Sequence, residues 1–578
     1  MPVYNSDVAE IFEKVADLLE IEGANQFRVR AYRDAARTIR SLSRSLLDLV
    51  EEGEDLTELP GIGEDLAGKI QEIVETGDLD QLERLTRQTP ADLAKMLEIS
   101  GLGPKRVQTI HEELGVSNLK ELRAAAAKGK IQELDGLGPK TESKVLEDLE
   151  KRDGEDQRTL LAVAEEFTGP LVEYLHDEES VGRVEVAGSY RRRKETVGDL
   201  DILVISAEGE KVSEHFVNFE DVEEEISRGK TRSTVVLRSG LQVDLRVVAK
   251  ESYGAALMYF TGSKAHNIAL REMAGEDDLK INEYGVFPAD EDQDQEAPIA
   301  GETEEEIYEL LDLPYIVPEL REDRGELEAA REDTLPDLIT LEDLRGDLQA
   351  HSQASDGRNT LREMAEAARE LGYEYLALTD HTGYLGVTQG LEGDEVLERM
   401  EEIQALDDEL EDFHLVKSME VDILEDGSLD LPDQVLEKLD LVVGSIHSHF
   451  NLSREKQTER ILKAMDHPQF NILGHPTGRR IHERDPYPLD LEKVIEGALE
   501  RGCFLEINAQ PARLDLKDTH CQLAVEKELK LALSTDAHSV DELKMMSYGV
   551  DQARRGWVTP DDVINTRPWS AFMELLSR

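Results

Sequence analysis

Asp199 and Asp201, one residue apart, are of a type and spacing that could do chemistry. Alternate side chains of a strand leave the same face, so both carboxylates can reach one pair of divalent cations. Two adjacent cations can stabilise the attacking and leaving oxygens of an in-line displacement at phosphorus. A third carboxylate is needed to complete the shell, and Asp244 supplies it. In Leu241-Gln242-Val243-Asp244-Leu245-Arg246-Val247 the aliphatic residues alternate toward a core and leave Asp244 and Arg246 on the other face. A second concentration of chemistry follows residue 338, where ten of the 14 histidines lie. Most stand in short strings: Asp347-Leu348-Gln349-Ala350-His351-Ser352, Thr379-Asp380-His381, Met419-Glu420-Val421-Asp422, Ser445-Ile446-His447-Ser448, Gly474-His475-Pro476 and Thr535-Asp536-Ala537-His538. Imidazoles and carboxylates delivered from successive strand ends can converge on several metal ions.

These groups need elements to hold them. Strand-like runs at Val184-Glu185-Val186, Asp201 to Ile205, Ser233 to Leu237 and Leu241 to Val248 predict a sheet for the aspartates. Beyond residue 338, apolar runs at Tyr375 to Thr379, His414 to Ser418, Leu439 to Gly444 and Phe470 to Leu473 alternate with helical segments, which predicts an α/β barrel with its working residues at strand ends. The first quarter is different in kind. A Gly-x-Gly pattern occurs three times, at Gly61 and Gly63, Gly101 and Gly103, and Gly136 and Gly138, with an aliphatic residue seven positions after each second glycine: Ile70, Ile110 and Val145. Each reads as a helix-hairpin-helix element, in which glycine lets the backbone approach a phosphate and the next helix offers unpaired N–H groups. Such elements grip DNA backbone without reading sequence. Upstream, residues 25 to 44 carry Arg28, Arg30, Arg33, Arg37, Arg40 and Arg44 against Asp34 alone, a stripe suited to phosphate.

The string Gly188-Ser189-Tyr190-Arg191-Arg192-Arg193-Lys194-Glu195-Thr196-Val197-Gly198-Asp199-Leu200-Asp201 closely resembles family X nucleotidyltransferases. The resemblance continues through Tyr259-Phe260-Thr261-Gly262-Ser263 and Ile281-Asn282-Glu283-Tyr284-Gly285, covering the first half of the chain. It implies that Asp199 and Asp201 hold two Mg2+ (or Mn2+) ions and that Asp244 holds the catalytic one. Ser189, Arg192 and Gly198 would contact the triphosphate of a dNTP; Tyr259, Phe260 and Gly262 would shape the sugar pocket; Asn267 and Arg271 would face the nascent pair. Lys264 departs from the acidic residue of some members. Lys69 falls at the Schiff-base lysine of the family's lyase domain, although Lys144 has the same place in the third hairpin and Asp65 replaces a second lysine. The six C-terminal strings resemble the polymerase and histidinol phosphatase (PHP) domain, a trinuclear phosphoesterase. By that resemblance up to three Mn2+ or Zn2+ ions are held: one by His351, Glu420 and Asp536, a second by Glu420, His447 and His475, a third by Asp356, His381 and His538. Gln349 stands where the first His of the usual pair would be, and Arg479 and Arg513 are candidate phosphate clamps.

The implied fold is multidomain, α+β and α/β. Its expected parts are a helical DNA-binding or lyase-like domain (1–95), fingers with two further hairpins (96–155), a palm with a mixed sheet (156–255), a thumb (256–318), a linker (319–338) and a distorted β/α barrel of PHP type (339–578). The expected activity is filling of short gaps in gapped or nicked DNA, joined to 3′-end trimming or AP-site cleavage. Two other readings fit the same residues: a DNA-end scaffold with a vestigial palm, and a polymerase whose PHP domain only braces the fold. The 127 acidic residues against 65 basic give a net charge of -62, which would ordinarily argue against a nucleic-acid partner. Because the acidic residues are dispersed among helix-period apolar ones, a surface adapted to concentrated salt is expected rather than a disordered tail. Two cysteines exclude a disulfide framework and a thiolate metal site. The expected location is the cytoplasm, away from membranes, and the expected state a monomer.

Overall fold

The computed structural model describes the chain apart from residues 1–4, 22–23, 41, 43–45, 52, 60, 89–92, 94–95, 97–98, 100–101, 135–136, 156–157, 290–296, 384–389 and 577–578. Gly101, Gly136 and Arg44 lie outside the described residues. The chain forms two units, residues 1–158 and 159–578.

In the first unit, apolar residues at helical spacing, Val8, Phe12, Val15 and Leu19 of the helix Asn5–Ile21, meet Val29, Tyr32, Ala36 and Ile39 of Gln26–Arg40. Phe12 and Tyr32 pack edge to face at 5.4 Å. A second apolar cluster gathers Val107, Ile110, Leu122, Ile131 and Val145, so the hairpin aliphatics Ile70, Ile110 and Val145 are all core residues. Gly63 and Gly103 cap the helices Glu64–Thr76 and Pro104–Leu114, and Gly138 accepts from Thr141 N–H at the start of Pro139–Glu155.

The second unit opens with a short pair, β1 (Thr159–Leu160) against β3 (Thr196–Val197). Its five-stranded palm sheet has the order β2 (Arg183–Val186), β4 (Asp199–Ile205), β7 (Gln242–Val248), β6 (Arg232–Leu237), β5 (Val222–Arg228). Only β4 and β7 run parallel, so the sheet is mixed, as expected. After the β8 (Leu279–Asn282) and β9 (Gly285–Pro288) hairpin comes the segment expected as a linker. It is packed structure: Leu320, Leu327, Ala330 and Leu338 join one apolar cluster with Ile307 and Tyr308, and Arg321 and Glu326 are buried. Its charge misled because two of the charged groups find partners inside: Arg321 bonds Glu304, and Glu326 bonds His266.

Seven parallel strands follow in sequence order, β10 (Gly346–Ala350), β11 (Tyr375–Leu378), β12 (His414–Asp422), β13 (Leu441–Ser445), β14 (Ile472–Leu473), β15 (Phe504–Asn508) and β16 (Leu531–Ser534). Helices connect most of them, as parallel pairing requires. The sheet nearly closes into a barrel: at its seam His351 N–H donates to Ala537 C=O at 2.7 Å and Asp536 N–H to Gln349 C=O at 2.9 Å. Among the described residues, no helix is long and apolar enough to cross a membrane.

Candidate functional site

Parallel strands bring all their C-terminal ends to one rim, and here that rim gathers the histidines. Glu420, on β12, is buried, and its carboxylate has no hydrogen-bond donor other than the imidazoles around it. His381 Nδ1 and His475 Nε2 lie 3.2 Å from it, His447 Nε2 3.3 Å and His351 Nε2 3.5 Å. His351 Nε2 also stands 3.1 Å from Asp536, and Asp356 is 3.5 Å from His381 and 3.4 Å from His538. Among the described residues, three groups have ligand atoms within 4.8 Å of one another: His351, Glu420 and Asp536; His381, Glu420 and His447; and His351, Asp356, His381 and His538. The first is the set expected for one metal. In the others, His381 and His351 are each shared more widely than the sequence suggested. A buried carboxylate among four imidazoles, with neither oxygen otherwise satisfied, fits divalent cations held by nitrogen and oxygen.

The carboxylates make this rim strongly negative. Burial opposes charge on His447, yet Glu420 and Asp422 outweigh it and push the imidazole up to about 10. Burial also opposes charge on His538, and Asp356 chiefly overcomes it, again to about 10. His475 and Asp536 hold left-handed backbone, with φ of 25° and 53°, the kind of local strain that clusters at functional positions.

In the palm, the parallel register sets Asp201 beside Asp244. The turn carrying Gly188 and Ser189 crosses directly above. Gly188 has φ of 63°, and a Cβ there would lie 3.2 Å from Asp201 Oδ2, so a larger residue would press on the carboxylate. Burial, then Asp199, pushes Asp201 up to about 6. Asp244 is more buried than the alternation suggested, because Arg232, at 3.1 Å, and Thr234 bond its oxygens from β6. Asp199 is exposed.

Arg192 donates to Thr261 C=O and stands 3.0 Å from Glu322. It thereby lies against Gly262, beside the edge-to-face pair Tyr259 and Phe260. Asn267 bonds Tyr259 C=O at 2.7 Å, and Arg271 is exposed on the same helix, Lys264–Glu276. Ser189 is the second residue of the short helix Gly188–Arg191, and Gly198 separates β3 from β4.

In the first unit, Arg28, Arg30 and Arg37 are exposed. Arg33 departs from the expected stripe: it pairs with Asp17 at 3.0 Å and Glu20 at 2.5 Å on the preceding helix, because its position faces that helix. Gly61 has φ of 73°, as a tight hairpin requires. Cβ atoms at Gly63, Gly103 and Gly138 would meet only open space. Lys69 is paired with Asp65 and lies 5.5 Å from the centre of the Tyr32 ring.

Known proteins align with these parts. Residues 3–79 match a helix-hairpin-helix domain, 79–151 a SAM-like helix-hairpin-helix tandem, 168–255 a DNA polymerase beta palm, 256–322 a DNA polymerase beta thumb, and 347–510 a PHP domain. The DNA polymerase/3′-5′ exonuclease PolX of Bacillus subtilis (strain 168) is 36% identical over 578 residues, covering 100% of both chains. The chain belongs to this family, the family X polymerases with a C-terminal PHP domain. A probable phosphatase of Thermoanaerobacter sp. (strain X514) is 32% identical over 218 residues, 36% of this chain and 84% of its own. Rat DNA polymerase lambda is 24% identical over 344 residues, 55% of this chain and 56% of its own.

Several residues around this family X chain's PHP rim escaped the sequence reading. Asp422 holds His447 Nδ1 at 3.0 Å, and Asn508 donates to Asp536 Oδ2 at 3.0 Å. Glu506 accepts from Ser534 at 2.6 Å and from His475 N–H; burial, then Asp536, raises it well above the usual carboxylate range. The signal was Phe504-Leu505-Glu506-Ile507-Asn508, a strand-end string like the others but without histidine. Arg479, expected as a phosphate clamp, is instead committed to Glu195 at 2.6 Å. Arg513 stays at the rim, 3.7 Å from Asp536, with a buried Nη1 that makes no hydrogen bond.

Proposed function

We propose that this family X enzyme fills short gaps in DNA by template-directed synthesis and trims 3′ ends at its PHP rim. The reading of the palm is supported chiefly by one observation, the parallel register that sets Asp201 beside Asp244 under the Gly188 to Arg192 turn. Two Mg2+ or Mn2+ ions on Asp199, Asp201 and Asp244 would supply charge stabilisation for nucleotidyl transfer. Ser189, Arg192 and Gly198 would hold the triphosphate, and Tyr259, Phe260, Gly262, Asn267 and Arg271 the sugar and base. At the rim, up to three Mn2+ or Zn2+ ions would bind His351, Asp356, His381, Glu420, His447, His475, Asp536 and His538. Arg513 would meet the phosphate there. The hairpin glycines and the exposed Arg28 would hold the DNA backbone, in a monomeric cytoplasmic repair enzyme adapted to concentrated salt. The division into domains follows the sequence boundaries, with 319–338 assigned to the thumb. Base excision repair is the setting these parts suit, with AP-site cleavage as a further use of the rim.

Incubation with gapped and mismatched-end DNA, with and without dNTPs, across magnesium, manganese and zinc tests both halves. The expected result is templated extension of gaps and metal-dependent loss of 3′ nucleotides. Neither activity with any ion would leave a DNA-end scaffold. Lyase chemistry at Lys69 is tested separately, by borohydride trapping on a 5′-deoxyribose phosphate end: a covalent product lost in Lys69→Ala supports it. Bracing by the PHP domain is favoured as an additional role by its direct bonds to the palm turn.

A further inference from the structure

The palm turn expected to meet the triphosphate is held largely from outside the palm. Arg191 bonds Glu304 of the thumb twice, at 2.9 and 2.6 Å. Arg193 meets Glu165 at 2.6 Å and Asp551 at 2.7 Å, and Glu195 accepts from Arg479 at 3.2 and 2.6 Å. Asp551 and Arg479 belong to the barrel domain. Between the anchored Arg191 and Arg193 stands Arg192, and its support is the most complete. Glu322 Oε1 lies 3.0 Å from Arg192 Nε and 3.1 Å from Arg555 Nη1. The same Arg555 nitrogen donates to the carbonyl of Arg192 itself at 2.7 Å. At its other end Arg555 grips Asp518 at 2.5 Å, while Arg324 bonds both Asp518, at 3.2 Å, and the Arg555 carbonyl, at 2.9 Å.

Arg555 is 1% exposed, so its charge has left water and is offset by Glu322, Asp518 and a peptide oxygen. A planar guanidinium fixed at both edges is a rigid strut. It sets the main chain of Arg192 and the counter-ion of Arg192 together, and these two constraints determine where the Arg192 guanidinium sits against Gly262.

We propose that Arg555, a residue of the PHP domain, is a positioning residue for the incoming nucleotide, acting through Arg192 and Glu322. The proposal rests on the reading of Arg192 as a triphosphate contact. Without the strut, Arg192 keeps its bond to Thr261 C=O but loses the fixed position of its main chain and of Glu322, so the nucleotide must complete its ordering, which weakens ground-state and transition-state binding alike. The consequence is a defect in dNTP binding rather than in chemistry.

The test uses the full-length protein on a single-nucleotide gap at saturating DNA, with dNTP varied, and measures 3′ degradation of single-stranded DNA in parallel. For Arg555→Ala the expected result is a KM for dNTP raised about tenfold with kcat within about twofold, as loss of uniform binding predicts. DNA affinity and 3′ degradation should stay at the parent level. Arg555→Lys keeps the charge but cannot span both carboxylates and the carbonyl, so its KM should rise about threefold. Asp518→Asn, which loosens the far end of the strut, should add nothing to the KM of Arg555→Ala. An unchanged KM in Arg555→Ala overturns the proposal, as does an equal fall in kcat and in 3′ degradation, which marks a general structural role. If Arg555→Ala does not fold, Arg555→Lys decides by the same KM criterion. A parent enzyme that incorporates no nucleotide would instead refute the polymerase reading on which the proposal stands.

Discussion

Glu420 and Asp201 are each surrounded by what their proposed work requires, and each can be removed without touching the other. Asp201→Ala is expected to abolish nucleotide incorporation while DNA affinity and 3′ degradation persist, because the hairpins and the barrel rim do not depend on it. Primer extension and a binding titration on gapped DNA check this; extension near the parent rate would remove the palm assignment. Glu420→Ala or His381→Ala is expected to reverse the pattern, losing 3′ degradation by at least about a hundredfold while gap filling continues. Loss of degradation with the palm variant alone would move that activity to the palm. Most of the residues that the structure brings together here stood out in the sequence because the proposed metal-binding carboxylates and histidines occupy short strings with fixed spacing. Asp422, Glu506 and Asn508 were not singled out, since a buried carboxylate or amide that orients a neighbour carries no spacing of its own. The partners of Arg33 and Arg479 were not legible for the complementary reason: sequence shows a charge but not the acid across the fold that pairs with it.

At the scale of elements, the clearest case is the thumb helix Glu304–Leu310, whose first residue reaches back to the palm. Burial raises the Glu304 carboxyl, but Arg321 and Arg191 outweigh it and bring it down to about 2. A depressed carboxyl stabilises the fold fully above its unfolded value, near 4.5, and loses that contribution as pH falls toward 2. The contribution is on the order of 3 kcal/mol at about 1.36 kcal/mol per unit. Glu304→Gln should therefore cost about 3 to 5 kcal/mol near neutrality, since both arginines stay buried without their counter-charge. It should also flatten stability between pH 4.5 and 2. Urea unfolding across that range, at constant salt, measures both effects; an unchanged acid limb would remove Glu304 as its source. While β5, β10, β15 and β16 were not read as strands, alternation and glycine spacing made the hairpins, four strands of the palm sheet and four of the barrel strands legible. The packed segment at 319–338 was not, because its charges are satisfied by partners remote in sequence, such as His266 and Glu304.

For the whole molecule, a net charge of -62 means that neighbouring carboxylates repel wherever screening is weak. Folding and gap filling are expected to need potassium chloride on the order of 1 M, where the screening length falls to about 3 Å. Circular dichroism and single-gap filling between roughly 0.05 and 3 M salt test this, and a stable, active enzyme at the low end that releases DNA at the high end would refute it. The barrel seam carries a further consequence. Its sheet order ends at β10 and β16; at the rim His351 bonds Ala537 and Asp536 bonds Gln349, while at the far end the Asn565 side chain bridges Gly346 C=O, at 2.7 Å, and Leu533 C=O, at 2.9 Å. The proposed ligands straddle that line, His351 on one side and Asp536 and His538 on the other. An ion shared between them would thus clasp the rim end of a seam that Asn565 pins at its other end. Stripping metal with a chelator should let the seam breathe: amide hydrogens at 346–351 and 534–538 should exchange faster, while those of β12 and β13, hydrogen-bonded on both sides, should keep their protection.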